Sequence, residues 1–341
     1  MDLLNFFYEN PPKIESKFQR KIKINNKNTI IKGPYSCGKK SLVIDYLKDF
    51  KQDNFLFLDF NDFRFDIKIL DNLEDFLKNK PDIDILILCN IKNQIKLPNI
   101  AQIIITSDNF KLNYEGFDEV FLDFLDFEEF ISISKNSSNL LGAFLHHGRA
   151  IYKEYDLFLK AYFSDLELMI LKYIANNLAS EFSINELYLN LKNNIKISKD
   201  YVYKSIKKLQ DIGTIRFIKH KEKKIQKIYL SDFGIKNILC TKRNFKALFS
   251  NMVFCELLKL KTKIYYDDCF DFYLKDYQKA IIVAPTLDPD LSVLKVKKIL
   301  PKAISYNITH ISFISISNYK NNYKEDINIE MIPFEEFALS F

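Results

Sequence analysis

Glycine is scarce in this chain, with seven in 341 residues, and tryptophan is absent. Few turns can rely on glycine's freedom at positive φ, so two glycines at a motif spacing carry weight. The five cysteines, Cys37, Cys89, Cys240, Cys255 and Cys269, are odd in number and scattered, with no C-x-x-C. That pattern argues against a disulfide framework or a zinc site, and for free thiols in a reducing cytoplasm. The N-terminus has no basic stretch leading into an apolar one, so no secretory signal is read. No apolar run reaches the ~20 residues that cross a bilayer, and no membrane partner is expected. A formal charge of +6 is mild, so only its local distribution can speak about nucleic acid. Lysine, asparagine, isoleucine and phenylalanine dominate, which reads as AT-rich coding bias rather than function. With 48% hydrophobic and 28% charged residues the balance is that of a soluble globular protein, and the length suggests two or three domains.

Two of the seven glycines fall in Thr29-Ile30-Ile31-Lys32-Gly33-Pro34-Tyr35-Ser36-Cys37-Gly38-Lys39-Lys40-Ser41-Leu42. An apolar strand runs into a glycine-bounded turn and then a helix, the layout of a phosphate-binding loop. Such a loop aims backbone N–H groups and a helix start at phosphate, and its lysine reaches the β- and γ-phosphates. The pattern G-x-x-x-x-G-K-[ST] holds at Gly33, Gly38 and Lys39 and then breaks. Lys40 stands where the magnesium-binding hydroxyl belongs. Ser41 comes one residue late, about 100° further round the helix, and cannot simply substitute.

After a polar, basic lead-in over residues 1–28, short apolar strands are expected at 29–32, 55–59, 83–88, 103–106 and 120–122, alternating with helices. That alternation predicts a parallel sheet with helices on both faces and ligands at the carboxyl ends of its strands. A nucleoside triphosphatase needs an acidic pair after a neighbouring strand, for the metal shell and the attacking water. Cys89-Asn90 follow Ile85 to Leu88 instead. Asn90 could orient a water but not take its proton. Asp59 and Asp62 are the alternative acids, with a solvated turn as the competing reading. Thr106-Ser107 could touch a γ-phosphate or serve as a turn or helix cap.

Residues 126–163 read as helices over 127–133, 140–146 and 151–163, with His146-His147 a helix end rather than a metal site. From 165 to 231, three amphipathic helices precede two strands joined by Lys219-His220-Lys221-Glu222-Lys223-Lys224, the order of a winged helix. Its third helix would enter a major groove through Lys199, Lys204, Lys207 and Lys208. The wing adds Arg216, Lys219, Lys221, Lys223, Lys224 and Lys227, an electrostatic footprint for the backbone of duplex DNA. Protein contact is the competing reading, since lysine is common throughout. Residues 240–341 read as a mixed α/β sheet of their own.

In this order the parts resemble the prokaryotic AAA-type ATPases that join a P-loop domain, a winged helix and a restriction-nuclease-like domain. Such proteins carry G-P-R-x-x-G-K-T-T-L, against which stands Gly33 to Leu42. Their L-P-L-S-F-x-E-F is matched by Leu125 to Phe130. Their Y-L-x-D-x-G-L is matched by Tyr229 to Ile235, and their L-x-E-N-x-V-x-x-E-L-L by Leu248 to Leu258. The resemblance implies a P-loop parallel-sheet domain over 1–125, a helical lid over 126–163, a winged helix over 164–239 and a nuclease-like α/β domain over 240–341. It also marks the departures. The family's threonine after G-K is Lys40, and its D-E pair falls on Cys89 and Asn90. Its E-V-D falls on Cys269-Phe270-Asp271 and its E-V-K on Ile282-Val283-Ala284. Asp271 alone cannot support metal-assisted cleavage, and Asp267, Asp268, Asp288 and Asp290 lie off the motif. The expectation is therefore an ATP-binding protein of the cytoplasm that uses Gly33, Pro34, Tyr35, Ser36, Cys37, Gly38, Lys39, Lys40 and Ser41, with little dependence on magnesium, little hydrolysis and no nuclease activity. Its partners would be duplex DNA or another protein. Two rivals stand beside it: an ATPase using Asp59 or Asp62, and a binding module with no nucleotide at all.

Overall fold

The computed structural model describes residues 3–14, 19–134, 139–149, 155–242, 244–317, 319–324 and 327–340. The chain divides into two units, Met1–Phe124 with Asp211–Gly213, and Leu125–Gln210 with Thr214–Phe341.

The lead-in is not merely polar. It opens with α1 (Leu3–Glu9), whose Leu4 and Phe7 are buried in the core of the first unit. Apolar residues three apart share one helical face, and that face is enough to dock so short a helix. Then come β1 (Thr29–Lys32), α2 (Lys39–Tyr46), β2 (Phe55–Asp59), α3 (Leu73–Lys78), β3 (Ile85–Cys89), β4 (Gln102–Ser107) and β5 (Asp118–Phe121). All five strands pair in parallel, in the order β2-β3-β4-β1-β5. Every residue of β1, β3 and β4 is buried, as continuous apolar runs require when both sheet faces are covered. The edge strand β5 alternates partly buried with exposed residues. From β1 the chain crosses to β2 on one side, whereas from β4 it crosses to β5 on the other. The adjacent carboxyl ends of β1 and β4 therefore form a switch point, where open α/β sheets hold ligands. The loop from Gly33 to Gly38 begins there.

The second unit begins with α4 (Phe127–Ile133), α5 (Leu140–His147) and α6 (Tyr155–Tyr162). The expected helix start at 151–154 lies outside the described residues. The three amphipathic helices follow as α7 (Asp165–Asn176), α8 (Ile184–Lys192) and α9 (Lys199–Asp211), and the hairpin as β6 (Ile215–His220) and β7 (Gln226–Leu230). Two of these helix starts are explained locally by capping boxes. Ser164 and Glu167 form a reciprocal capping box at α7, and Asp126 with Glu129 does the same at α4. The chain continues through α10 (Gly234–Leu239), α11 (Phe245–Leu257), β8 (Ile264–Tyr266), β9 (Phe272–Leu274), β10 (Lys279–Val283), α12 (Pro289–Ser305), β11 (His310–Ser315), β12 (Lys320–Lys324), β13 (Ile327–Pro333) and α13 (Phe334–Leu339).

The strands after residue 240 do not make a sheet of their own. β6 pairs with β8 through Lys219–Tyr265 and His220–Tyr266, so one mixed sheet runs β12-β13-β11-β10-β9-β8-β6-β7. Segments that the sequence separates at 163/164 and 239/240 thus share a unit. β12 and β13 were not expected. The first is a polar edge strand, and the second has a period-two pattern, Ile327-Asn328-Ile329-Glu330-Met331, that reads as a strand once its partner β11 is seen.

Phe127, Phe144 and Phe334, from three helices, and Phe233, the N-cap of α10, form an aromatic nucleus with ring centroids 5.0–5.3 Å apart in successive pairs. Polar side chains hold the backbone around it. Buried Asn251 accepts from Leu230 N (2.8 Å) and donates to Leu230 O (2.7 Å), tying α11 to the end of β7. Asp232 accepts from the N–H groups of Arg149 (2.8 Å) and Gly234 (2.9 Å). The Arg149 side chain reaches Leu125 O (2.8 Å) and Ser231 O (2.9 Å). Glu256 accepts the first N–H of α4, from Phe127, at 3.0 Å and pairs with Lys259 at 2.8 Å. Gly148 and Gly234 meet backbone to backbone, and a Cβ on Gly234 would lie 2.6 Å from His147 O. The residues that carry the resemblance in this half of the chain are thus structural.

Asn251→Ala leaves the buried N–H of Leu230 without its partner and leaves Leu230 O only the Cys255 thiol at 3.5 Å. It should cost about 1–3 kcal/mol, seen as a lower denaturant midpoint with an unchanged slope.

Candidate phosphate-binding loop

β1 delivers the chain into the loop, and three parts of the first unit fix it. Gly33 N donates to Ser107 O at the end of β4 (3.2 Å). The Cys37 thiol donates to Leu122 O, just past β5 (3.2 Å). Arg20, buried in the lead-in, donates to Cys37 O (2.8 Å) and to Asp123 O (2.9 Å). Nothing in the spacing around Arg20 marks it; its role rests on contacts with residues 17 and 103 positions away. Burial pushes the Cys37 thiol pKa up, so it stays a donor. At Gly33 a Cβ would sit 1.9 Å from Leu122 O, which excludes any side chain.

The loop curls through two residues at positive φ, Ser36 (65°) and Gly38 (99°), with Cys37 N closing a turn on Pro34 O at 3.3 Å. Gly38 then serves as the N-cap of α2 without any side-chain cap. A helix start of this kind leaves first-turn N–H groups that favour anions, although the Lys39 N–H is turned toward the Cys37 thiol. Lys39 is buried, and its ammonium donates to Gly33 O and Pro34 O, both at 2.7 Å. Of three ammonium donors, two hold the loop closed and one is left for an anion. Tyr35 borders the loop. Partial burial raises its pKa, as do the nearby Asp59 and Asp108.

Lys40 turns away from the loop. Its Nζ lies 2.9 Å from Asp59 Oδ2 and 5.5 Å from the centre of the Phe57 ring. Asn90, at φ 64°, donates its side-chain amide to Asp59 Oδ1 at 2.7 Å, and Asn61 N reaches the same oxygen at 3.0 Å. Asp59 is therefore no solvated turn residue. The parallel register sets Asp59 beside Cys89, so Asn90 arrives at its carboxylate. Asp62 does form a turn: it is gripped by Arg64 (2.6 Å), whose side-chain and backbone hydrogen bonds bring its pKa down to about 2. The Thr106 hydroxyl accepts from Asn90 N (3.0 Å), and the Ser107 hydroxyl donates to Ile91 O and accepts from Asn109 N (3.0 Å), the turn role of the two readings. Burial pushes the Cys89 thiol up to about 12, with Asp59 adding to the shift.

Magnesium does not fit these side chains. The position of the usual hydroxyl holds a cation, and both oxygens of the adjacent carboxylate already accept hydrogen bonds. Among the described residues no group of three or more His, Cys, Asp or Glu side chains is placed to hold a metal ion.

The expected nucleic-acid lysines divide in two. Lys204 and Lys207 are exposed on α9, beside exposed Tyr201 and Tyr203. Lys208 is held by Glu167 at 2.6 Å. On the hairpin, Lys219 and Lys224 are exposed, but Lys221 lies over the Tyr265 and Tyr273 rings, and Lys223 is paired with Asp268 at 2.6 Å. The carboxylate of Asp271 accepts from Val283 N at 2.8 Å, and Asp267 accepts from Tyr306. The side chain of Asp290 lies outside the described residues. No described helix is long and apolar enough to cross a membrane.

The first unit is a parallel sheet with a strand–glycine loop–helix at its switch point, a layout compatible with a P-loop-like domain. No family model matches the chain, and no curated protein matches it. Among solved structures it is similar to a Signal Transduction ATPase with Numerous Domains (STAND) protein with a tetratricopeptide repeat sensor from Pyrococcus horikoshii. That similarity has 15% identity and a TM-score of 0.25, and covers 74% of this chain and 48% of the other. The chain thus spans about half the length of that neighbour.

Arg20→Ala removes two bonds to loop carbonyls from a charged, buried donor. It should lower stability by about 2–3 kcal/mol in a denaturant titration. In an NMR titration the Asp62 carboxyl should show a midpoint of about 2. The stabilisation from its Arg64 contacts is complete above the carboxyl's unfolded pKa and is lost as pH falls through the folded value.

Proposed function

We propose that this chain is an AAA-type nucleotide-binding protein that holds ATP at Gly33 to Ser41 and hydrolyses it slowly or not at all. The single observation that carries the reading is the state of Asp59. The Asp59 carboxylate is bonded to Lys40 and held by Asn90, whose amide fixes one of its oxygens and supplies no second acid to activate water. Asp62 is unsuited as a base, since a general base works best with a pKa near the working pH. Binding itself is supported by the uncapped start of α2 and the third donor of Lys39. Such a protein acts as a switch or a tether rather than a motor, because the energy of hydrolysis is not released on a useful timescale.

The second unit supports a further element of the proposal. Its three helices and hairpin act as a winged helix, and its C-terminal part is a nuclease-like fold without catalytic residues. Duplex DNA is the proposed partner, through α9 rather than the hairpin tip. The exposed Lys204 and Lys207 are available for phosphates, whereas Lys221 and Lys223 are already occupied within the protein. The division of the chain at residues 125, 163 and 239 belongs to the same proposal, as does its place in the cytoplasm.

Calorimetric titration with ATP tests the first element. The unaltered protein should bind, Lys39→Ala should lose about tenfold or more in affinity, and turnover should stay at the background rate. Heat of binding that is absent, or unchanged in the mutant, rejects the loop as the site. For DNA, neutralising Lys204 and Lys207 together should lower the salt slope of duplex binding by about 2, while neutralising Lys221 and Lys223 should leave it nearly unchanged.

A further inference from the structure

The Lys40–Asp59 pair goes beyond the loss of a metal ligand. Lys40 is the second residue of α2, so its side chain starts at the rim of the loop. Its side chain is 48% exposed, whereas that of Asp59 is 14% exposed. The lysine end of the pair is the one that can move. Asp59 is anchored without it, by the Asn90 amide and Asn61 N on the other oxygen. An ammonium is a compact charge on a flexible stem, and it can exchange a carboxylate for a phosphate with little rearrangement. In the resting state the pair also keeps Asp59 from presenting an uncompensated negative charge to an incoming anion.

Resting on the nucleotide reading above, we infer that this loop takes a nucleoside triphosphate free of magnesium, with the Lys40 ammonium leaving Asp59 for the phosphate oxygens and supplying the positive charge that the metal otherwise brings. The ligand class is thereby narrowed. Lys39 and Lys40 favour the free triphosphate, which is more negative than its magnesium complex. A magnesium-bearing ligand would bring a second cation against the Lys40 ammonium at the rim of the loop. Asn90 has a positive part in this scheme. By bonding Asp59 through its neutral amide, it holds the carboxylate after Lys40 departs, which a second carboxylate at that position would oppose by repulsion.

The test is ATP titration of the full chain in EDTA and in excess magnesium, with three variants. The unaltered protein should bind ATP in EDTA about threefold or more tighter than in magnesium. Lys40→Thr should lose about tenfold or more in EDTA and regain affinity when magnesium is added, since it restores a hydroxyl and frees Asp59. Lys40→Met, which keeps the stem and removes the charge, should lose the same affinity in EDTA. Asp59→Asn should bind the free triphosphate more tightly, because it removes the competing anion. Thermal melts of each variant separate a lost site from a lost fold. If the unaltered protein binds only with magnesium, or if Lys40→Met binds in EDTA as the unaltered protein does, the inference is overturned while the nucleotide reading stands. If the unaltered protein binds ATP in neither condition, both fall.

Discussion

A main-chain group that leaves a helix or sheet inside a core must still find a hydrogen-bond partner, and much of this structure depends on how that demand is met. An unmade bond of this kind costs about 1–3 kcal/mol, a large share of a domain's net stability. The protein answers with a few long polar side chains aimed at backbone. In the first unit Arg20 holds one carbonyl of the phosphate-type loop, at Cys37, and another just past β5, at Asp123, and Lys39 holds the loop carbonyls of Gly33 and Pro34. In the second, Asn251, Arg149, Asp232 and Glu256 do the same where β7, α4 and α10 begin or end. The apolar nucleus supplies most of the driving force, but these bonds decide which irregular path the chain takes between elements.

The same demand explains what could be read from the sequence. Regular elements advertise themselves, because their backbone bonds are internal and only their apolar spacing needs to show. The buried strands at Phe55–Asp59 and Ile85–Cys89, and the α9 face of Val202, Ile206 and Leu209, were legible for that reason. The loop was legible because only glycine tolerates the contact of Gly33 with Leu122 O and suits the left-handed turn at Gly38. Pairings across long separations were not. No local pattern says that Lys219 and His220 will lie beside Tyr265 and Tyr266, so the continuity of the eight-stranded sheet stayed hidden. α1 escaped through its shortness, despite the sequence Leu3-Leu4-Asn5-Phe6-Phe7. Arg20 looked like one more basic residue in a basic stretch.

The lysines show how misleading composition is when charges are counted before they are placed. In sequence, the hairpin tip is the most concentrated basic segment considered for DNA. In the fold, Lys221 rests on aromatic rings and Lys223 on Asp268, while Glu222 is bonded to Lys302 and Tyr306. The parallel pairing of β6 with β8 brings the tip against residues of opposite charge and aromatic faces. Among the described residues, Lys204 and Lys207 of α9 have no comparable neighbours, and an exposed charge is the one able to release counterions from a polyanion.

Lys40 applies that lesson at the scale of one residue. As a motif position it reads as a defect, because a hydroxyl is missing. As a side chain in place it is an ammonium bonded to a carboxylate beside the loop, and that carboxylate is held from its other side by Asn90. Two departures from the pattern, thirty-first and nineteenth neighbours of the same aspartate along the chain, turn out to share a partner. A site that had merely decayed would leave Asp59 either exposed or uncompensated. Here the Asp59 carboxylate is paired with the Lys40 ammonium and hydrogen-bonded by the Asn90 amide, the substituted residues themselves.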